Sequence, residues 1–111
     1  MAVVDSATKL ANDIKNSKEY KDFRKYMSII KSNPKYELTL NNYKKIQMDI
    51  NNKTITGIKI DRKTLKIADD LRRTINSNKD LSRYIESEKN FTVMMDNINK
   101  ILASAVENDY K

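Results

Sequence analysis

The stretch NSKEYKDFRKYMSIIKSNPKY, residues 16–36, sets Tyr20, Phe23, Tyr26 and Tyr36 among Lys18, Lys21, Lys25, Lys31 and Lys35. Rings beside cations can bind nucleic acid, the rings stacking on bases and the ammonium groups meeting phosphates. The same spacing can instead be one wall of a hydrophobic core. Elsewhere the chemistry is thin. Adjacent Asp69-Asp70 is the nearest thing to a carboxylate pair, but neighbours on a helix diverge by about 100°, so they share neither a proton nor a metal comfortably. DNINK, residues 96–100, lacks the turn glycine and distal glutamate of a calcium loop. The chain holds no Cys and no His, which removes thiolate nucleophiles, His-based triads and any zinc site built on those ligands. We therefore expect no catalytic residues, no cofactor and no metal, and a protein that is not an enzyme.

Helical spacing decides between the two readings of the opening stretch. Tyr20, Phe23, Met27 and Ile30 step by three and four, so the rings form one inward stripe while Lys18, Lys21, Arg24, Lys25 and Lys31 point mostly elsewhere. The spacing thus places the aromatics in the core, with Tyr26 the one ring free to face solvent.

The elements around them are also helical. One Gly and one Pro in 111 residues leave almost no material for tight hairpin turns. Apolar residues are 39% and charged residues 33%, a mix that suits amphipathic helices better than disorder. Val3, Ala7, Leu10, Ala11 and Ile14 mark a first helix over about 3–15, and Ser17 can cap a second. Asn33-Pro34 starts a third, since Asn is a good N-cap and Pro at the first helical position loses only an unpartnered N–H. That helix should run to about 52, with Tyr36, Leu40, Tyr43, Ile46 and Ile50 inward. NNKTITGIKI, residues 51–60, carries the one Gly and a β-branched cluster, and reads as the loop at the tip of a helical hairpin. Asp61 then caps a fourth helix, with Ile60 and Leu65 spaced as a hydrophobic staple and Leu65, Ala68, Leu71 and Ile75 inward. Met48, Met94 and Met95 lie in helical stripes and read as core filler.

From Leu81 the series Leu81, Tyr84, Glu88, Phe91, Met95, Ile98, Leu102, Ala105 alternates steps of three and four without a slip. It predicts one helix over about 79–107, roughly 45 Å long. Glu88 alone breaks the apolar stripe, either setting register against a partner or marking, with Ser87, a kink. The expected fold is all-α: an antiparallel bundle of about five helices in one domain, 1–111. Shorter helices cannot cover so long a stripe, so we expect either a fold-back at Ser87 or a homodimer, with Phe91, Met95, Ile98 and Leu102 as the oligomer interface.

Charge is uneven. From Lys15 to Lys66 there are 14 Lys/Arg against 5 Asp/Glu, within a whole-chain net of +7. A basic patch of Lys18, Lys21, Arg24, Lys25, Lys44 and Lys45 is the alternative, nucleic-acid reading of the 15–66 half. With 17 Lys to 5 Arg, bidentate phosphate recognition is poorly served, and a solvated surface is favoured. The start MAVVDSATKL has no signal-peptide pattern, and no apolar run reaches the ~18 residues of a membrane span. The expectation is a cytoplasmic protein with no membrane partner, in which the sequons at Asn52 and Asn90 are chance matches.

The order of these signals resembles the YlbF/YmcA family of small helical bacterial proteins. The opening MAVVDSATKLANDIKNSKEYKDFRKYMSII shows Ala7, Leu10, Ile14, Ser17, Glu19 and Tyr20 in the family's arrangement, followed by Asn33-Pro34. The loop with Gly57, Ile60 and Asp61 and the closing YIESEKNFTVMMDNINKIL are most similar to the YheA-like branch. The resemblance spans essentially the full length. It implies a helical cytosolic protein that acts as a non-enzymatic regulator through protein contacts, in a family linked to competence, sporulation, biofilm formation and RNA processing. Some relatives carry Cys-bearing tails implicated in iron–sulfur binding; with no Cys in these 111 residues, that property does not carry over.

Overall fold

The computed structural model describes residues 1–107. Five helices account for nearly all of them: α1 (Ala2–Lys15), α2 (Lys18–Lys31), α3 (Pro34–Thr56), α4 (Arg62–Ser77) and α5 (Lys79–Glu107). No strand occurs among the described residues, and the all-α class is as expected. The chain divides into two compact units. One holds Met1–Tyr26 with the chain from Ile85 onward, and the other holds Met27–Tyr84.

The second unit contains the hairpin of α3 and α4, which pack directly on each other. Asn33 starts α3 as its residue type predicts, its side-chain oxygen accepting from the N–H groups of Lys35 at 3.1 Å and Tyr36 at 3.4 Å. The helix ends later than its composition suggests, at Thr56 rather than near residue 52. Its last turns hold β-branched residues with weak helix preference, but their hydroxyls bond back along the helix. Thr54 Oγ1 donates to the Ile50 carbonyl at 2.8 Å and Thr56 Oγ1 to that of Asn52 at 2.9 Å, while Lys53 pairs with Asp49 at 3.2 Å. Gly57 stops the helix in the left-handed region at φ 74°. The Ile58 N–H then reaches back to the Lys53 carbonyl at 2.9 Å and the Gly57 N–H to that of Thr54 at 3.4 Å, which is a Schellman ending. Hence the loop is only 57–61.

Asp61 caps α4, accepting from the Thr64 N–H at 2.7 Å. The second half of the expected staple is not inward: Leu65 is 49% exposed and Ile60 half-buried. Met48, expected as core filler, is 66% exposed, because the core-facing side of α3 is already taken by Leu40 and Tyr43.

Helix α5 runs unbroken through Ser87 and Glu88, so the chain does not fold back there. Ser87 is buried and Glu88 half-buried within the continuous helix. The buried apolar side chains are Ile30, Leu40, Ile75, Leu81 and Tyr84. All five belong to the second unit. Among the described residues, the first unit buries no apolar side chain completely.

Two predictions concern the hairpin tip. Alanine at position 57 meets no steric obstacle from neighbours, so Gly57→Ala tests backbone strain alone and should cost about 1 kcal/mol in urea unfolding. An unchanged midpoint would show that the left-handed ending is dispensable. The Asp61 carboxyl is held below its ordinary value of 3.8, first by its hydrogen bonds with Thr64 and then by Lys53 and Lys63. A depressed carboxyl contributes stability above its unfolded pKa and loses it as pH falls through the folded one. Asp61→Asn keeps a capping oxygen that does not titrate. The advantage of wild type over this variant should therefore be full well above the ordinary value of 3.8 and shrink as the pH falls below it; a pH-independent difference in unfolding midpoint would refute the charged cap.

Candidate interaction surfaces

In the first unit, Tyr20 and Phe23 of the opening stretch face α5. Phe23 stacks on Phe91 with ring centroids 5.2 Å apart and planes 4° from parallel, and Tyr20 meets the same ring at 5.8 Å in a tilted arrangement. All three are half-buried. Offset aromatic pairs of this kind add about 0.5–1.5 kcal/mol beyond the area they bury. The rings thus hold α2 to α5 instead of forming a solvent-facing stacking platform, and Tyr26 is half-buried with the Lys25 ammonium 5.5 Å above its ring.

The expected interface residues on α5 divide along the helix. Phe91 is engaged by Tyr20 and Phe23, while Met95 and Ile98 are half-buried. Leu102 is 54% exposed, and beside it Ile101 is 69% and Val106 57% exposed. Every residue from 101 to 107 is exposed. On α1, Val3 is 78% exposed and no residue is buried.

A groove of about 580 Å³ runs beside this stripe in the first unit. Val93, Met94, Ile98 and Ile101 give it an apolar floor, and Lys18, Glu19 and Asp22 of α2 stand along one wall. No short motif in the sequence signals this groove. Glu19 and Asp22 are three residues apart on one side of α2, but that spacing acquires meaning only when α5 is laid alongside.

The six basic residues of the alternative reading fall in both units. Lys18, Lys21, Arg24 and Lys25 are exposed on the α2 segment of the first, and Lys44 and Lys45 are exposed on α3 in the second. Lys44 sits 5.5 Å above the ring of buried Tyr84, a cation–π contact that uses its charge within the fold. The Asp69-Asp70 pair does not converge on a shared site: Asp69 receives Arg72 and, at 3.1 Å, Arg73 along its own helix.

Known proteins confirm the kind of fold and a family. The family model described as control of competence regulator ComK, YlbF/YmcA, matches residues 3–107. No curated protein sequence matches the chain significantly. Among solved structures, a protein of unknown function (DUF964) from Bacillus stearothermophilus superposes with a TM-score of 0.74 at 15% identity, covering 100% of this chain and 97% of that one. Bacillus subtilis RicA, solved in complex with RicF, is also similar, with a TM-score of 0.62 at 15% identity over 99% of this chain and 97% of that one. At such low identity these likenesses establish the fold.

The ring cluster gives a direct stability test. Phe23→Ala removes one half of the stacked pair and should cost about 3 kcal/mol, the lower end of the range for core phenylalanines because the ring is half-buried. Lys21→Ala, on the opposite side of α2, should stay within about 0.5 kcal/mol. Equal urea midpoints for Phe23→Ala and wild type would return the ring to the surface.

Proposed function

Because the chain belongs to the YlbF/YmcA family, described by its control of the competence regulator ComK, we propose that it is a non-enzymatic helical adaptor or regulator, cytoplasmic, that acts through protein contacts and forms a homodimer. One observation carries the reading. The first unit holds Tyr20, Phe23, Phe91, Met95, Ile98 and Leu102, yet buries no apolar residue completely among the described positions. Fully burying one such side chain is worth about 1.5–3 kcal/mol, so a half-covered stripe offers several kcal/mol to whatever covers it. The late part of α5, from Phe91 through Leu102, is the proposed interface. The occurrence of RicA in a complex with RicF supports protein contacts as the mode of action of this fold.

The six-residue basic patch is the competing surface, and its reading as a nucleic-acid site is not adopted. The rings needed for base stacking pack on one another, and Lys25 and Lys44 lie over tyrosines of their own chain. Binding to RNA near physiological salt should be no tighter than the non-specific range of about 10⁻⁴–10⁻⁶ M, with a steep salt dependence. Sub-micromolar RNA affinity at that salt would displace the adaptor reading.

Oligomeric state tests the proposal. Sedimentation at micromolar concentration should give twice the chain mass of 13.0 kDa. Ile98→Asp puts a lone carboxylate into the covered stripe and should shift the protein to monomer. A symmetric pair repeats the patch, so the substitution acts twice. A wild-type mass near 13.0 kDa across the range would sink the dimer.

A further inference from the structure

Two surfaces of this chain are complementary in charge and in shape of hydrophobicity, and each is open in the single chain. The first is the groove of the first unit. Its floor is exposed in part, with Val93 at 50% and Ile101 at 69%. On its wall, Glu19 and Asp22 are both half-buried, and neither lies within ion-pairing distance of a cation among the described residues. Lys18 shares that wall, leaving it a net acidic edge on a chain of net +7. Half-buried carboxylates over an apolar floor are partly desolvated, which makes an incoming cation more effective there than on open surface.

The second surface is the hairpin tip. Ile55 is 75% exposed, Ile58 59% and Leu65 49%. Around them Lys59, Arg62, Lys63 and Lys66 are exposed, and none of the four is within ion-pairing distance of a carboxylate among the described residues. The one nearby acid, Asp61, is used as the cap of α4. The tip is also held in a single shape, by the left-handed Gly57 and the Ile58-to-Lys53 bond on one side and by the Asp61 cap on the other. A rigid knob loses little conformational freedom when it docks.

We propose that the hairpin tip of one copy docks in the α2–α5 groove of a second copy, with Ile58 on the apolar floor and Arg62 and Lys63 facing Glu19 and Asp22. This rests on the homo-oligomer reading above and names what fills the groove beside the proposed interface. The exposed start of α1 is the other apolar element a second copy could offer. Its lysine, Lys9, is already paired with Asp13 at 3.2 Å, whereas the tip's cations lie in no ion pair among the described residues. Nucleic acid fits the tip less well, because no aromatic residue lies between Tyr43 and Tyr84 to stack a base.

A charge-swap experiment tests the contact with the full chain. Glu19→Lys/Asp22→Lys reverses the groove and Arg62→Glu/Lys63→Glu reverses the tip. The new glutamates fall in the first turn of α4, where the helix dipole favours them. Each double variant alone should self-associate at least about tenfold more weakly than wild type, since like charges then oppose each other across the contact. An equimolar mixture should recover the wild-type association, because in the mixed pair both contacts again join opposite charges. Ile58→Ser, at an exposed loop position, should weaken association by about tenfold while leaving the helix content seen by circular dichroism unchanged. Recovery on mixing cannot come from a misfolded variant or from lost RNA binding. If wild type dimerises but the double variants do so equally well, or if mixing restores nothing, the tip-in-groove contact is wrong while the dimer stands. A monomeric wild type overturns both.

Discussion

The first unit is organised around a single ring. Phe91 meets both Phe23 and Tyr20, and no apolar residue of that unit is buried as deeply as Leu81, Leu40 or Ile75 of the second. A helix such as the 29-residue α5 gains most of its stability from a packed apolar face and little from propensity. Over its last turns that face has nothing of its own unit fully upon it, as Ile101, Leu102 and Val106 show. The second unit differs in kind. It closes a small core with five buried apolar residues and bounds it with a capped hairpin. Two halves of one short chain therefore have unequal completeness.

Much of this was legible in the residues because it depended on local chemistry. Asn33-Pro34 and Asp61 do what their types dictate, since caps are decided within four or five residues. The unbroken three-and-four spacing from Leu81 foretold one long helix, and α5 follows it through Ser87 without a break. The end of α3 was hidden because threonine back-bonding and the Asp49–Lys53 pair offset weak propensities that suggested a loop. Leu65 and Met48 had the right spacing but face outward, because spacing identifies a stripe and not whether anything covers it. The groove was illegible for the same reason: its walls come from residues 18–22 and 87–101, which no local pattern connects.

Charge follows the same division between local and distant. Several acids are used close to where they occur in sequence: Asp13 by Lys9, Asp49 by Lys53, Asp69 by Arg72 and Arg73, Asp61 by the N-terminus of α4. Exposed pairs of this sort contribute little, about 0.3–0.5 kcal/mol each, and are screened by salt. What remains after them is more informative than the net charge of +7. Four exposed cations stand at the 57–66 tip, and half-buried Glu19 and Asp22 stand on the groove wall. A basic overall composition thus describes neither surface well.

An incomplete apolar face also makes partner binding and folding one process. A species that binds only the folded unit stabilises it in proportion to the logarithm of its own concentration over its dissociation constant, reaching about 2.7 kcal/mol at a hundredfold excess. For a domain whose whole stability is on the order of 5–15 kcal/mol, that is a substantial fraction. On the adaptor reading, the half-covered stripe of α5 is then not a defect left by a short chain. It lets the order of the first unit follow the amount of its partner, whereas the second unit, with its own closed core and capped tip, keeps its shape regardless.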